Sequence, residues 1–210
     1  GGSSSINGLL SIRGHRDDYE HWHRLGSPGW SWDDVRPFFI RLENNVRGAS
    51  AFHGDQGPLS ISDVPQHHEL MDAIIGGANE LGIATNADFN GPQQDGVGYF
   101  QLTTRKGLRC STAVAYLRPA RGRSNLHIST HAQATRILFA GQRAIGVEYL
   151  LKGQPHQAHV RRELIIAAGA VQSPQLLQVS GIGDAAHLAR IGVPLLQHRP
   201  EVGRNLQDHL

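Results

Sequence analysis

The chain has 210 residues, a formal net charge of +2 and one cysteine, Cys110. That length holds one or two ordinary domains, a single cysteine excludes an internal disulfide framework, and the basic residues form no block suited to nucleic acid. Charged residues at 18% sit below the usual ~25%, while 25 glycines exceed the usual ~7%, a balance that suits ligand-lined backbone better than disorder.

Taken in order, residues 1–7 form a glycine-serine turn and 8–12 a short apolar run. The chain starts at Gly1 without a methionine, inside what reads as a functional loop, so its true N-terminus is expected upstream. Residues 17–24 read as a short helix. Ser31 is the expected N-cap of the next helix, with Asp33 and Asp34 well placed in its first turn. Val35, Phe38, Phe39 and Leu42 follow the spacing of a half-buried helix, and Pro37 among them predicts a kink or a restart. Residues 44–65 are loop-rich, with a turn at 53–58. The clearest helix spans 68–81, where Leu70, Ile74, Ala78 and Leu81 make one stripe and Gly82 suits the left-handed position beyond its end. A glycine-rich loop at 87–98 follows, then a short helix over 109–117, stopped by Pro119.

Strands are expected next. Leu126 and Ile128 alternate with polar neighbours, 137–139 is apolar, and Ile145, Val147 and Tyr149 alternate again. A tight turn at 140–143 makes these an antiparallel meander. The continuous apolar run 164–168 predicts a strand covered on both faces. Small residues end it and 173–180 reads as a helix, an order that belongs to α/β architecture. No apolar run approaches the ~18 residues of a membrane span.

Most site signatures are absent. The match to a dinucleotide fingerprint at Gly181, Gly183 and Ala186 follows a helix where that fingerprint needs a strand, and reads as a helix stop. The thirteen histidines lack an accompanying ligand cluster, so no metal site is expected. Two segments remain. In the first (Gly1, Gly2, Ser3, Ser4, Ser5, Ile6, Asn7, Gly8), paired glycines permit close backbone approach and the polar side chains supply hydrogen bonds. This suits a loop against a planar polar ligand, or a flexible linker. The second, 167–177, sets four small residues after a buried strand. That leaves room for a bulky ligand at the strand's carboxyl end, or serves tight helix-on-strand packing.

Together these segments resemble the two signatures of the glucose-methanol-choline (GMC) oxidoreductase family. The first resides in residues 1–7, the second in 169–183. Ile12-Arg13-Gly14, Asp18-Tyr19 with Trp22, Asp88-Phe89-Asn90-Gly91, Gly96-Val97-Gly98 and the 203–209 run from Gly203 to His209 are similar to its choline- and alcohol-dehydrogenase branch. The likeness runs through the whole chain in order and marks it as an internal fragment.

The resemblance implies an α/β (α+β) fold: part of an FAD-binding doubly wound domain with a small antiparallel meander, plus part of a cap. Residues 1–25 and 105–210 would belong mainly to the FAD-binding part, and 26–104 mainly to the cap or substrate side. It implies non-covalent FAD and oxidation of a primary alcohol, choline-like or an alkanol, to the aldehyde by hydride transfer to the flavin. Gly1, Gly2, Ser3, Ser4, Asn7, Gly8, Leu9 and Leu10 would lie along the flavin and pyrophosphate, Asn7 to Leu10 beside the isoalloxazine. Ala134 matches a position whose backbone contacts adenine, usually a valine. Ala168 and Gly169 would face the ribose-phosphate region. Some relatives attach the flavin through a histidine where Ile6 stands here, and Ile6 cannot form that bond.

The pyrophosphate fingerprint is expected upstream and the active-site histidine downstream, so no catalytic residue is assigned within the chain. His209 belongs to a different segment. The implied partners are a small alcohol and a quinone or other electron acceptor, with no nucleic acid and no transmembrane segment. The location would be cytoplasmic or peripheral to a membrane. Two alternatives stay open: a flavin-binding module without catalysis, and a hydroxynitrile lyase-type member of the same family.

Overall fold

The structure is a computed structural model that describes residues 2–208. The chain divides into two compact units, Gly1–Leu126 and His127–Leu210.

The first unit opens with a 3₁₀ turn, Ser3–Ser5, and two helices, α1 (Arg16–Arg24) and α2 (Trp32–Leu42). Both helices start in a capping box. His15 and Asp18 exchange hydrogen bonds at α1, and Ser31 and Asp34 do so at α2, which satisfies amide groups the helices cannot pair themselves. The two helices meet through aromatic rings. Tyr19 lies with its centroid 5.4 Å from that of Trp22, 5.6 Å from Trp32 and 5.9 Å from Phe39. α2 runs without a break through Pro37, so the helix does not restart there. Proline removes a single ladder bond there, and the buried Trp32 and half-buried Phe39 hold the turns on either side of it.

A parallel pair follows, β1 (Glu43–Asn45) with β2 (Leu59–Ile61). The 53–58 turn between them packs onto β1 through two glycines. A Cβ on Gly54 would collide with the Ile40 carbonyl oxygen, and one on Gly57 with that of Leu42, both at the end of α2 that leads into β1. Helix α3 (Glu69–Glu80) begins at His68, whose ring accepts from the Leu70 amide, and Gly82 takes the left-handed conformation (φ +84°) just past its end. A hairpin of β3 (Thr104–Arg105) and β4 (Leu108–Arg109) turns on Lys106 and Gly107, both left-handed. The expected helix over 109–117 is therefore shorter: Arg109 ends a strand, and a π-helical turn, Ala113–Leu117, runs into α4 (Arg118–Ala120). Pro119 does not stop it. Because the helical turns run on from Ala113 through Ala120, Pro119 lies inside them, and its missing amide costs the preceding turn one ladder bond without ending the helix.

The second unit contains an antiparallel meander, of which the strands at 137–139 and 145–149 were expected and the third, after Leu151, was not. β5 (Ala132–Ala140), β6 (Arg143–Leu151) and β7 (Gln154–His159) pair antiparallel in that order. Helix α5 (Gly169–Val179) follows, then β8 (Ile182–Gly183), α6 (Ala185–Arg190) and β9 (Gln197–His198), with β8 parallel to β9. Gly181 ends α5 in the left-handed region at φ +91°, the helix stop read from sequence. Leu188 of α6 is fully buried. Two expected strands do not form. Residues 126–129 and 164–168 lie in no ladder among the described residues, and Ile165 is 80% exposed. The 164–168 run is apolar enough for a buried strand, but no described strand offers it backbone partners.

Candidate functional site

The 2–10 loop departs from ordinary backbone at both ends. Gly2 has φ +63° and ψ −174°, a region essentially closed to residues with a Cβ, and a Cβ there would meet open space. Leu9 is left-handed at φ +70°, which is costly for a side chain of its size. Between them the chain winds into the Ser3–Ser5 turn, closed by the Ile6 and Asn7 amides donating to the Ser3 carbonyl at 3.0 and 2.8 Å.

This conformation is held from outside the loop. The Thr103 amide donates to the Leu9 carbonyl (2.8 Å), and the Ser11 amide donates to that of Gln101 (2.8 Å). The Thr112 amide donates to Ser4 Oγ (3.1 Å), which also bonds the Thr112 hydroxyl (3.0 Å). Arg109 donates to the Ser4 carbonyl (3.2 Å) and to Asn7 Oδ1 (2.6 Å). The loop is thus built into the unit, which favours the ligand-loop reading of this segment over the linker. Its π-helical neighbour at 113–117 is a feature often found beside functional sites.

Behind the loop lies a buried charge cluster that sequence reasoning missed. Arg13 pairs with Glu43 (2.7 Å), and His53 bridges Glu43 through Nδ1 (3.0 Å) and Asp88 through Nε2 (2.9 Å). His53 is 6% and Glu43 2% exposed. Hydrogen bonds to Asp88 first and Glu43 second push His53 up to about 9, so its ring is doubly protonated at neutral pH. Asp88 is held below the usual carboxylate range chiefly by its bond to His53. With both ring nitrogens donating, Asn45 Nδ2 spends its two protons on Glu43 Oε1 (3.2 Å) and Gln101 Oε1 (2.8 Å). The cluster reaches the loop through backbone. The Arg13 amide donates to Asn90 Oδ1, Asn90 Nδ2 to the Ser11 carbonyl, and Gln94 Nε2 to that of Arg13. The signal available in sequence was the pairing of His53 with Asp88 inside two glycine-containing turns.

In the second unit Ala134 and Ala168 line one cavity of about 380 Å³, together with Gln133 and Thr135 of β5 and Gln172, Gln175, Leu176 and Val179 of α5. Gly169 does not line it. Gly169 makes the turn into α5 at φ +89°, and Ser173 Oγ accepts from the Ala168 amide at 3.1 Å. Ser180 fixes the other end of the cavity wall. Its hydroxyl accepts from the Ile137 amide (2.8 Å) and donates to the Leu176 carbonyl (2.6 Å), joining β5 to α5. Short side chains at 134 and 168 keep the space open.

The sequence-predicted residues therefore fall in two groups. Gly2, Ser3, Ser4, Asn7, Gly8, Leu9 and Leu10 form one loop of the first unit, while Ala134 and Ala168 share a cavity in the second. Gly1 and His209 lie outside the described residues. Among the described residues no three histidine, cysteine or acidic side chains gather as metal ligands.

Each of these features, taken by itself, suits part of a flavin nucleotide. A glycine without a Cβ opens the loop, Asn7 offers an outward amide, and small residues free a cavity sized for a planar ring.

A family model described as GMC oxidoreductase matches residues 1–210. Mitochondrial choline dehydrogenase of Mus musculus is 44% identical over 210 residues, which cover 100% of this chain and 35% of that protein. Alcohol dehydrogenase (acceptor) of Pseudomonas putida is 43% identical over 213 residues, covering 100% and 39%. Among solved structures, pyridoxine 4-oxidase from Mesorbium loti matches with a TM-score of 0.95 at 33% identity, over 100% of this chain and 42% of that one. An FAD-dependent oxidoreductase from Chaetomium thermophilum matches with a TM-score of 0.94 at 30% identity, over 99% and 38%. The mixed helix-and-strand fold thus matches FAD-dependent oxidoreductase structures. The chain belongs to the GMC oxidoreductase family. It spans little more than a third of the curated relatives it matches, 35% and 39% of the two proteins above.

Proposed function

We propose that this chain seats FAD in an enzyme that oxidises a primary alcohol, choline-like or an alkanol, to its aldehyde. The observation that carries this reading is the 2–10 loop, whose Gly-only start, left-handed Leu9 and outward Asn7 amide are fixed by bonds from residues 103–112. FAD, when bound, supplies the hydride acceptor.

The work of the chain's own residues is binding and orientation. Gly1, Gly2, Ser3, Ser4, Asn7, Gly8, Leu9 and Leu10 lie along the flavin and pyrophosphate, with Asn7 to Leu10 beside the isoalloxazine. Ala134 takes the adenine edge by backbone contact, with Ala168 and Gly169 toward the ribose-phosphate. Residues 1–25 and 105–210 serve the doubly wound FAD-binding domain and 26–104 the cap. Binding is non-covalent, because Ile6, 86% exposed at the position of attachment in some relatives, carries no atom able to form that bond. The proton of the alcohol is taken by a histidine outside this chain. Electrons pass on to a quinone or similar acceptor, in the cytoplasm or at a membrane face. Among the described residues no helix is long and apolar enough to cross a membrane.

The test uses the full-length protein. It should purify yellow, release its flavin into the supernatant on acid precipitation, and reduce a dye with choline or an alkanol. A colourless protein, flavin retained in the precipitate, or rapid peroxide formation in place of dye reduction would each overturn a stated part of the proposal.

A further inference from the structure

The geometry points to Arg109 as the positioning residue that decides which end of the Asn7 amide faces the ligand, so that the loop presents donors and no acceptor there. This inference rests on the flavin-seating reading and names how that site recognises its ligand.

An asparagine amide can turn either way, and its orientation follows from its partners. Here the partners leave one answer. The Arg109 guanidinium, which has only donors, lies 2.6 Å from Asn7 Oδ1, and the Leu9 amide donates to the same oxygen at 3.3 Å. The opposite orientation would set Nδ2 against two donors. Arg109 is itself aimed by its bond to the Ser4 carbonyl and by its place at the end of β4, while Asn7 is exposed. Asn7 Nδ2 donates to no described residue, so both its protons face outward. A charge-assisted bond of 2.6 Å also polarises the amide, which makes those outward protons better donors. The matching ligand surface is one of acceptors, such as the carbonyl and ring-nitrogen edge of an isoalloxazine.

The experiment compares Arg109→Met, Arg109→Lys, Asn7→Asp and Asn7→Ala in the full-length protein, with FAD titrated into each apoprotein by fluorescence quenching and the bound-flavin spectrum recorded. Thermal unfolding of each apoprotein checks the fold. Arg109→Met should weaken FAD binding about tenfold or more and shift the spectrum, with Arg109→Lys recovering most of the affinity. Asn7→Asp keeps a partner for Arg109 but replaces outward donors with a carboxylate oxygen. It should bind FAD more weakly than Asn7→Ala. Wild-type affinity and spectrum in Arg109→Met overturn the inference. Should that variant not fold, Asn7→Asp decides: binding as tight as in Asn7→Ala or tighter overturns it. The loop reading itself fails on a different result, both Asn7 variants binding FAD with wild-type affinity and spectrum.

Discussion

His53 shows how one buried residue ties stability to pH. Its folded value of about 9 lies above the ordinary imidazole value of 6.5, because the charged ring donates to Asp88 and Glu43. A group raised on folding adds stability in full below its unfolded value, and that stability is lost as pH rises through the folded value. The full-length protein should therefore lose stability between about pH 6.5 and 9, by a few kcal/mol at most. His53→Gln should flatten that limb. It should also lower stability at pH 6 by about 3 kcal/mol, since Glu43 and Asp88 lose their shared cation while Glu43 stays buried. Urea unfolding of both proteins at pH 6, 7.5 and 9 checks this, and parallel curves for the two would refute it. Gly2 offers a second test at this scale. Gly2→Ala meets no steric neighbour, so its cost is backbone strain of about 1–3 kcal/mol within the loop. We expect the apoprotein loop to relax this strain locally, so that it appears as a lower flavin-to-protein ratio after gel filtration while the melting temperature of the apoprotein stays nearly unchanged.

Between elements, Ser180 carries more than its size suggests. β5 changes register between Ala134 and Arg136, and just beyond that irregularity the Ile137 amide turns to the Ser180 hydroxyl. Ser180→Ala leaves a buried donor unpaired and should cost about 1–3 kcal/mol, while Ser180→Thr keeps the hydroxyl and should cost less. Amide exchange at Ile137, fast in the alanine variant and slow in the wild type, distinguishes this from general loosening. The same elements explain what could be read in advance. α1, α2 and α3 were legible because caps and apolar spacing act within one helix, and the β5–β6 turn because Gly141 supplies a left-handed residue. β7 was not, since every residue of this edge strand is exposed and Pro155 sits in it, leaving no alternation to detect. Hairpins on Lys106-Gly107 and Lys152-Gly153 escaped notice for a related reason: only the second residue of each turn advertises a positive φ. For the candidate site, the Gly-Ser loop and the small residues at 134 and 168 were readable as local chemistry. The partners that fix them, Arg109, Asn90 and Ser180, act across 43 to 105 residues of sequence and depend on the fold.

Over the whole molecule, many large apolar side chains stand exposed. α3 buries none of its residues, and Leu70, Ile74 and Leu81 of its sequence-predicted stripe are all more than half exposed. Ile165 stands 80% exposed in a run with the composition of an interior strand. Exposed apolar groups on this scale mark surfaces that another part of a protein covers. The relatives supply the scale, since the chain amounts to 35% of the first and 39% of the second. We therefore expect residues 164–168 to become a paired, covered strand when the rest of the protein is present. In the full-length protein the Ile165 and Ile166 amides should exchange with solvent orders of magnitude more slowly than in the isolated 210-residue chain. The isolated chain should also bind a hydrophobic dye, and it should neither hold FAD tightly nor oxidise alcohols. Equal exchange at Ile165 in both proteins would mean that the run is a solvated loop. The order of strand, small-residue turn and helix would then lose its part in the FAD assignment, and the 2–10 loop and the Ala134–Ala168 cavity would have to support it alone.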